Sequence, residues 1–392
     1  MKAIVFGAGK IARGFIGQLL YLSNYEITFV DVNEALIKQL EEDKTYHVYI
    51  LGDNSLDSDV SNFHMLHLSD KEHIHKAMQD ADIAFVSVGG QNLKGVGNVL
   101  SSIFNTYGIE EKNFNFVTCE NWKDAGNTLK EGILEYLDNE QKECFEQYIG
   151  INEAVIMRSA TQPSEELAAK DPTGVWVQNY WYLPIDAKNF KGNLPPIKDT
   201  ELMYDFGNFL TQKMYTNNTS NAVIAYNGYL MGYDILAEAA NSEAIAALLD
   251  KVYIEINETL IKELHLDRAK QEEFAKKARA KYTDWTIVDR VIRHGKDPIR
   301  KLGPQDRLIA PARMALKHGI YPEVMIDTIA KALYFDEKSD EAAQKLKSMR
   351  VEFGVEYVLQ NICQLNKEEE LYKEVLKAVN NLKAEGILKG HE

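Results

Sequence analysis

Cysteine is scarce in this chain, and an excess of positive charge is absent. The 392 residues include three cysteines, which are far apart and form no CxxC pair. This spacing argues against a disulfide framework and a structural zinc site, and it predicts a reduced, cytoplasmic environment. Acidic residues outnumber basic ones by 59 to 44, for a formal net charge of −15. A main function in nucleic-acid binding is therefore not expected.

Long apolar runs are also missing. No stretch reaches membrane-spanning length, and a strand-like segment begins at Lys2 with no signal-peptide pattern before it. We therefore expect no membrane partner, and a monomer or small homo-oligomer. The apolar fraction of 45% is sufficient for full cores, and the length favours two domains.

The first 31 residues follow a pattern typical of dinucleotide binding. A β-rich run ends at Gly7-Ala-Gly9-Lys-Ile-Ala12, a helical run follows, and a second strand ends at Asp31. The first glycine permits the bend, the second permits close approach of a pyrophosphate, and the third position needs a small residue. Asp31 is expected to bind the ribose 2′-hydroxyl and to repel a 2′-phosphate, which predicts NAD rather than NADP.

Two further strands, 82–88 and 114–118, end near residues that could face the cofactor. Ligands of such sheets bind beyond the carboxyl ends of the strands. Asn121 is a candidate for contacting substrate there, although a turn asparagine is an equally good interpretation. The predicted cofactor-binding residues are Gly7, Gly9, Lys10, Ile11, Ala12, Asp31, Val88, Gly89 and Asn121.

Four histidines, at positions 64, 67, 73 and 75, lie close together in the sequence. Their spacings match no recognised zinc pattern, so we predict no metal site. Strand signals continue to the prolines at 195 and 196 and then give way to helical periods. We therefore predict an α/β Rossmann-type domain over residues 1–196 and a mostly all-α domain over 197–392. Predicted helices in the second include 201–216, 219–241, 268–281, 285–293 and 304–317.

Residues 213–221 place one lysine and several amides at the head of an apolar, small-residue run. If that run is helical, Asn218 and Asn221 share one face, with Lys213 just upstream. A lysine surrounded by apolar groups has a lowered pKa and can accept a proton near neutral pH. The amides could hold an alcohol or carbonyl oxygen, although an ordinary helix cap is the simpler interpretation.

Six cations cluster within residues 290–307 of this acidic chain. Such a cluster suggests an anionic ligand, because arginine binds phosphate with two parallel hydrogen bonds. The alternative is a set of salt bridges with Asp289, Asp297 and Asp306. The six are Arg290, Arg293, Lys296, Arg300, Lys301 and Arg307.

These segments together resemble the polyol-specific long-chain dehydrogenases along nearly the whole chain. The resemblance includes the opening glycine turn, Asp31, Cys119-Glu-Asn121, and the segments 190–195, 225–232, 298–302 and 306–311. The family signature is Lys, four residues, Asn, two residues, His. Lys213 and Asn218 match it, and Asn221 stands where the family has His. Met157 stands where the family usually has an acid before Arg158.

The resemblance implies a metal-independent NAD-dependent oxidoreductase for a polyol or a sugar phosphate. Lys213 would be the general base, and Asn218 and Asn221 would bind the reacting oxygen. The short length favours the sugar-phosphate branch, with a hexitol phosphate and its keto sugar as substrates. Two departures, Asn221 and Met157, leave open a catalytically weak sensor of NAD and sugar phosphate, or a dehydrogenase for another polyol or sugar acid. The implied substrate-binding residues are Asn121, Arg158, Arg293, Lys296, Arg300 and Lys301.

Overall fold

The computed structural model describes residues 1–122, 124–161 and 165–391. The chain divides into two compact units, residues 1–206 and residues 207–392. The boundary follows a short parallel strand pair that ends at Met203, which keeps residues 200–203 in the first unit. The sequence-based boundary was residue 196. In the described part of the chain, no helix has the length and apolar character needed to cross a membrane.

Unit 1 combines strands with short helices. Its strands are β1 (Lys2–Phe6), β2 (Glu26–Asp31), β3 (Tyr46–Leu51), β4 (Ser58–Val60), β5 (Phe63–His67), β6 (Ile83–Val86), β7 (Phe114–Thr118), β8 (Ile149–Glu153), β9 (Ala160–Thr161), β10 (Val175–Gln178), β11 (Leu183–Asp186) and β12 (Thr200–Met203). Its helices are α1, formed by a π-helical segment Ala12–Gly17 and an α-helical segment Gln18–Leu22, α2 (Glu34–Asp43), α3 (Lys71–Asp80), α4 (Leu93–Tyr107), α5 (Ala125–Tyr136), α6 (Asn139–Tyr148) and α7 (Glu165–Lys170).

The main sheet of unit 1 has six strands in the order β5–β2–β1–β6–β7–β8, and all neighbouring pairs are parallel. This order is that of the doubly wound dinucleotide-binding fold. Side chains alternate across β1, so that Ala3 and Val5 pack into one core while Ile4 and Phe6 pack into the other. Burial on both faces explains why these strands are almost continuously apolar.

Unit 2 is helical. It contains α8 (Phe206–Lys213), a π-helical segment Met214–Asn218, α9 (Thr219–Leu230), α10 (Leu236–Asn241), α11 (Glu243–Leu264), α12 (Arg268–Thr283), α13 (Val291–Gly295), α14 (Pro298–Lys301), α15 (Ile309–Lys317), α16 (Glu323–Ala332), α17 (Glu341–Phe353), α18 (Val355–Asn361) and α19 (Glu370–Ala384). Side-chain caps define several starts: Ser242 accepts from Ile245 N at α11, and Asp267 accepts from Lys270 N at α12. The predicted fold class is confirmed.

Several predicted elements are wrong at their ends. The helix expected over 201–216 begins only at Phe206, because 200–203 pairs as β12. The helix expected over 219–241 is interrupted at Gly232, whose φ of +79° does not fit a helix. The segment expected as a helix over 285–293 is helical only from Val291.

Candidate active site

The turn after β1 is crowded at one glycine and open at the other. Gly7 has a φ of +98°, and a Cβ there would lie 2.1 Å from the backbone oxygen of Ser87. Gly9 is exposed, and a Cβ there would meet no described atom within 4 Å. The bend therefore requires Gly7, and the space beside Gly9 fits a phosphate group approaching the start of the first helix.

Asp31, at the end of β2, is held by the backbone. Its carboxylate accepts from Ala8 N at 2.6 Å, from Val32 N at 2.8 Å and from Asn33 N at 2.9 Å. The next side chain, Val32, is 64% exposed and uncharged. A ribose hydroxyl could donate to this carboxylate, whereas a 2′-phosphate would meet its negative charge with no cation at position 32.

The ends of β6 and β7 lie side by side, as predicted. Gly89, with a φ of +85°, donates its backbone N–H to the Glu120 carboxylate at 2.6 Å. Burial raises the pKa of Glu120 against the opposing effect of the Gly89 and Val88 amides. Asn121 follows and is exposed. Val88, Gly89 and Asn121 thus belong to one edge of the sheet.

Arg158 lies inside unit 1 and is 2% exposed. Its guanidinium donates to the Gly14 carbonyl oxygen at 2.8 Å, to Gln18 Oε1 at 2.6 Å and to the Tyr180 carbonyl oxygen at 2.5 Å, and it lies 4.2 Å from the Trp181 ring centroid. Burial lowers the pKa of Arg158 to about 9. These contacts connect the segment after β8 to α1. Substrate binding by Arg158 stays a prediction.

In unit 2, a continuous helical run carries the predicted catalytic residues. Lys213 ends α8, the π-helical segment follows, and Asn218 immediately precedes α9. A π-turn links residue i to residue i+5, so Lys213 and Asn218 fall near the same side of the helix. The α-helical spacing of three then adds Asn221 to that side. Short π-helical segments within α-helices, known as π-bulges, occur frequently at functional sites.

Lys213 is half-buried. Burial lowers its pKa, and the positive charge of Arg307 lowers it further. Sequence reasoning did not single out Lys281, which ends up near it. Burial, followed by the charge of Lys213, lowers the pKa of Lys281 to about 8, while Asp289 acts in the opposite direction. Lys281 sits in a strongly charged stretch of α12, so no local pattern identified it.

His294 and Asp289 were also missed as functional candidates. Asn221 is buried, and its Nδ2 and Oδ1 lie 2.9 Å and 3.2 Å from His294 Nδ1. The other imidazole nitrogen, Nε2, lies 2.7 Å from Asp289 Oδ2. Burial would raise the pKa of Asp289, but the hydrogen bonds and charges of His294 and Arg293 outweigh it and lower the pKa to about 2. Asn221 and His294 are 73 residues apart, which hides this contact from local patterns.

The salt bridges that were the alternative to anion binding are present in the basic cluster. Arg293 contacts Asp289 at 2.8 Å, and Arg300 contacts Asp297 at 2.9 Å and Asp306 at 3.2 Å. Arg307 also contacts Asp306, at 2.8 Å. Residues 289–307 nevertheless contain six arginine and lysine side chains and three carboxylates, so a cationic excess remains.

Lys301 and Lys296 lie in different surroundings. Lys301 is buried, and its ammonium donates to the carbonyl oxygens of His294 and Lys296. Burial, with the charges of Arg307 and Arg300, lowers the pKa of Lys301 to about 7. Lys296 is exposed, which leaves it accessible to a ligand. Anion binding by Arg293, Lys296, Arg300 and Lys301 stays a prediction.

The histidines of the first domain are spread among separate partners. His73 contacts Asp70 at 2.9 Å, His64 contacts Glu26 at 3.6 Å, and His75 stacks on Tyr107. Within residues 1–122, 124–161 and 165–391, no group of three metal-binding side chains is found.

Two solved structures share the fold of this chain. D-sorbitol dehydrogenase in its substrate-free form matches with a TM-score of 0.79 at 15% identity, covering 98% of this chain and 94% of the other. Mannitol 2-dehydrogenase of Pseudomonas fluorescens, in a ternary complex with NAD and D-mannitol, matches with a TM-score of 0.70 at 13% identity, covering 99% and 92%.

Sequence comparison gives the family. The mannitol dehydrogenase Rossmann domain matches residues 1–199, and the mannitol dehydrogenase C-terminal domain matches residues 205–384. Mannitol-1-phosphate 5-dehydrogenase of Thermoanaerobacter pseudethanolicus is 35% identical over 384 residues, covering 98% of both chains. That of Bacillus subtilis is 30% identical, covering 97% of this chain and all of the other. The resemblance predicted from the sequence is thus confirmed: the chain belongs to the mannitol dehydrogenase family and is an NAD-dependent oxidoreductase.

Proposed function

We propose that this chain interconverts a hexitol phosphate, mannitol 1-phosphate, and the keto sugar fructose 6-phosphate, using NAD. The observation that carries the proposal is Lys213, whose lowered pKa and π-turn position suit a general base beside Asn218 and Asn221. The mannitol-1-phosphate 5-dehydrogenases named above match this chain along nearly its whole length, which supports a phosphorylated substrate.

In the oxidation direction, neutral Lys213 would accept the proton of the reacting hydroxyl group. When bound, NAD supplies the hydride acceptor. In reduction, protonated Lys213 would return the proton to the carbonyl oxygen. A lysine with an ordinary pKa would be almost entirely protonated near neutrality, so burial of Lys213 increases the fraction able to act as a base.

Asn218 and Asn221 would hold the reacting oxygen. Amide N–H groups directed at this oxygen stabilise the negative charge that develops on it in the transition state. Asn218 Nδ2 lies 3.0 Å from Met214 Sδ, a weak acceptor that a substrate oxygen could replace. Asn121, at the sheet edge of unit 1, is the further candidate for substrate contact.

The phosphate group would bind the basic cluster. Lys296 and Arg300 are the best placed because both are exposed, whereas the buried Lys301 ammonium already has two carbonyl partners. Arg300 is fixed by Asp297 and Asp306, which orient its guanidinium at the cost of part of its charge. Arg293 and Lys301 would lie nearer the carbon chain.

The proposal is tested by following NADH oxidation with a panel of keto sugars and their phosphates. We expect turnover with fructose 6-phosphate and much slower turnover with fructose. Reduction should slow, and oxidation should accelerate, as the pH rises through the lowered pKa of Lys213. A preference for unphosphorylated sugars, or for NADPH, would contradict the proposal.

The phosphate assignment has its own test. Arg300→Ala should raise KM for fructose 6-phosphate at least tenfold, but change KM for fructose little, because one charge-assisted contact is lost. Arg290→Ala is the matched control, since Arg290 is an exposed arginine of the same segment that contacts Asp234 at 3.8 Å. Equal effects on both substrates would assign Arg300 a structural role.

A second candidate is a sensor that binds NAD and sugar phosphate without efficient turnover. The replacement of the family acid by Met157 favours it, because the Met157 sulfur accepts from the Tyr180 hydroxyl at 3.1 Å and cannot act as a carboxylate. Calorimetric binding of fructose 6-phosphate without turnover would support the sensor. Ordinary turnover on any member of the panel would exclude it.

A further inference from the structure

Three side chains of unit 2 form one hydrogen-bond network, which we call the 289–294–221 network. Asp289 precedes α13, His294 lies on α13, and Asn221 lies on α9, the helix that continues from Lys213. The contacts are 2.7 Å between Asp289 and His294, and 2.9 Å and 3.2 Å between His294 and the two amide atoms of Asn221. An imidazole is therefore present beside the proposed oxygen-binding amide.

The positions of the protons in the 289–294–221 network follow from its geometry. Asp289 is ionised near neutral pH, so its 2.7 Å contact requires a proton on His294 Nε2. In the neutral imidazole, Nδ1 is then unprotonated and accepts from Asn221 Nδ2. A protonated His294 would instead donate from Nδ1 to Asn221 Oδ1. The amide Nδ2 carries two hydrogens, so beside a neutral His294 one N–H of Asn221 engages the imidazole and the second remains for a substrate oxygen.

The surrounding charges favour an ionised Asp289. Arg293 donates to the same Asp289 oxygen as His294, at 2.8 Å. The charge of Asp289 also acts on Lys281, from α12, although burial and the Lys213 charge leave the pKa of Lys281 lowered overall, to about 8. Lys301, from α14, donates to the backbone oxygen of His294. Because Arg293 and His294 both contact the Asp289 carboxylate, and the pKa of Asp289 is lowered, the proton is held on His294 Nε2 and not on Asp289.

We propose that His294 is a positioning residue for the reaction, which orients the Asn221 amide toward the reacting oxygen and is itself oriented by Asp289. The inference rests on the proposed function, because it requires Asn221 to contact that oxygen. Family members carry an imidazole at position 221 itself, according to the signature described above. In the present protein the imidazole belongs to His294 on α13, and it acts through the amide of Asn221.

A purely structural histidine–carboxylate pair exists in the same unit and provides the control. His318 Nε2 lies 2.6 Å from Glu263, and its side chain is 22% exposed, compared with 23% for His294. Removing either imidazole should lower the melting temperature by a similar amount, because each variant loses one hydrogen bond between a histidine and a carboxylate. A positioning role predicts that the two variants differ in catalysis and not in stability.

The first experiment compares His294→Ala and His318→Ala with the wild type, using mannitol 1-phosphate and fructose 6-phosphate. We expect His294→Ala to reduce kcat about 10- to 100-fold, the range found when a hydrogen-bonding partner that orients a metal ligand is lost. NADH affinity should stay within about twofold, and His318→Ala should keep the wild-type kcat. A kcat for His294→Ala within twofold of wild type, or an equal loss in both variants, would overturn the inference.

The second experiment moves the imidazole. Asn221→His in the wild-type background would direct two imidazoles at each other and should slow turnover. The double variant Asn221→His, His294→Ala removes that conflict and should recover at least tenfold of the kcat lost in His294→Ala alone. Non-additivity of this size is expected for residues in one network. If the double variant is folded, as judged by its melting temperature, but no faster than His294→Ala, the imidazole has no role through position 221.

The third experiment does not depend on activity. In protein labelled with ¹⁵N-histidine, the imidazole signal lost in His294→Ala should show a protonated Nε2, and Asn221→Ala should shift the Nδ1 resonance of His294. No shift in Asn221→Ala would overturn the inference. The wild type could instead show the expected nitrogen signals but no turnover on the whole sugar panel. That result would refute the proposed function and leave the 289–294–221 network established.

Discussion

The two candidate binding regions of this protein are built in opposite ways. The cofactor turn of unit 1 uses a short continuous stretch, in which Gly7, Gly9 and Asp31 lie on adjoining strands and one helix start. The candidate catalytic region of unit 2 brings together side chains from α9, α12 and α13. Its contact between Asn221 and His294 joins residues 73 positions apart. The first region can therefore be recognised as a local sequence motif, whereas the second forms only when the helices pack together.

The largest expected effect would separate chemistry from cofactor binding. Lys213→Ala should reduce kcat by about 10²–10⁴, the usual contribution of a general base. NADH affinity should be unchanged because the cofactor turn belongs to unit 1. Steady-state kinetics and NADH fluorescence measure the two quantities. A kcat within a few-fold of wild type would remove Lys213 from the mechanism.

A smaller effect tests how strictly the turn of unit 1 depends on its backbone. Gly7→Ala should destabilise the protein more than Gly52→Ala, although both glycines have positive φ angles, +98° and +84°. Each alanine costs about 1–2 kcal/mol of backbone strain. Only at position 7 would the new Cβ also overlap Ser87, which adds about 1–3 kcal/mol. Equal free energies of unfolding for the two variants in urea would show that the turn can relax.

The smallest expected effect concerns cofactor choice. Asp31→Ser combined with Val32→Arg should shift the ratio of kcat/KM for NADH over NADPH by about tenfold toward NADPH, or about 1.4 kcal/mol. The reason is that one negative charge is lost and one cation is gained where a 2′-phosphate would lie. Asp31→Asn, which removes the charge alone, should give an intermediate ratio. A wild-type protein that already prefers NADPH would contradict the role of Asp31.

Much of the fold could be predicted from the sequence because its signals are local. The strands of the main sheet are apolar runs, and β1 and β7 begin and end at the predicted residues. Helix ends were harder, because tertiary contacts decide them: residues 200–203 form a strand only by pairing with β11. Gly232 interrupts a periodic helical stretch through its backbone conformation, which hydrophobic spacing does not reveal.

The candidate site divides in the same way. Lys213, Asn218 and Asn221 could be proposed from spacing, although the π-turn that aligns the first two has no sequence signature here. His294 and Lys281 could not be proposed, since each gains its interest from a partner on another helix. Arg158 shows the reverse limit, because the resemblance suggests a substrate contact while Nε and Nη1 of its guanidinium donate to partners within unit 1.

The π-turn after Lys213 makes this part of the helix sensitive to residue number as well as residue type. Removing one residue between Lys213 and Asn218 would allow an unbroken α-helix, which is the more stable local geometry. Such a deletion would keep Lys213 and Asn218 on one side, since residues four apart share a face of an α-helix. With all residues present, an α-helix over 213–218 would instead place these two side chains about 140° apart, because each residue turns the helix by about 100°. The π-helical segment therefore keeps the lysine beside the amides despite the additional residue between them.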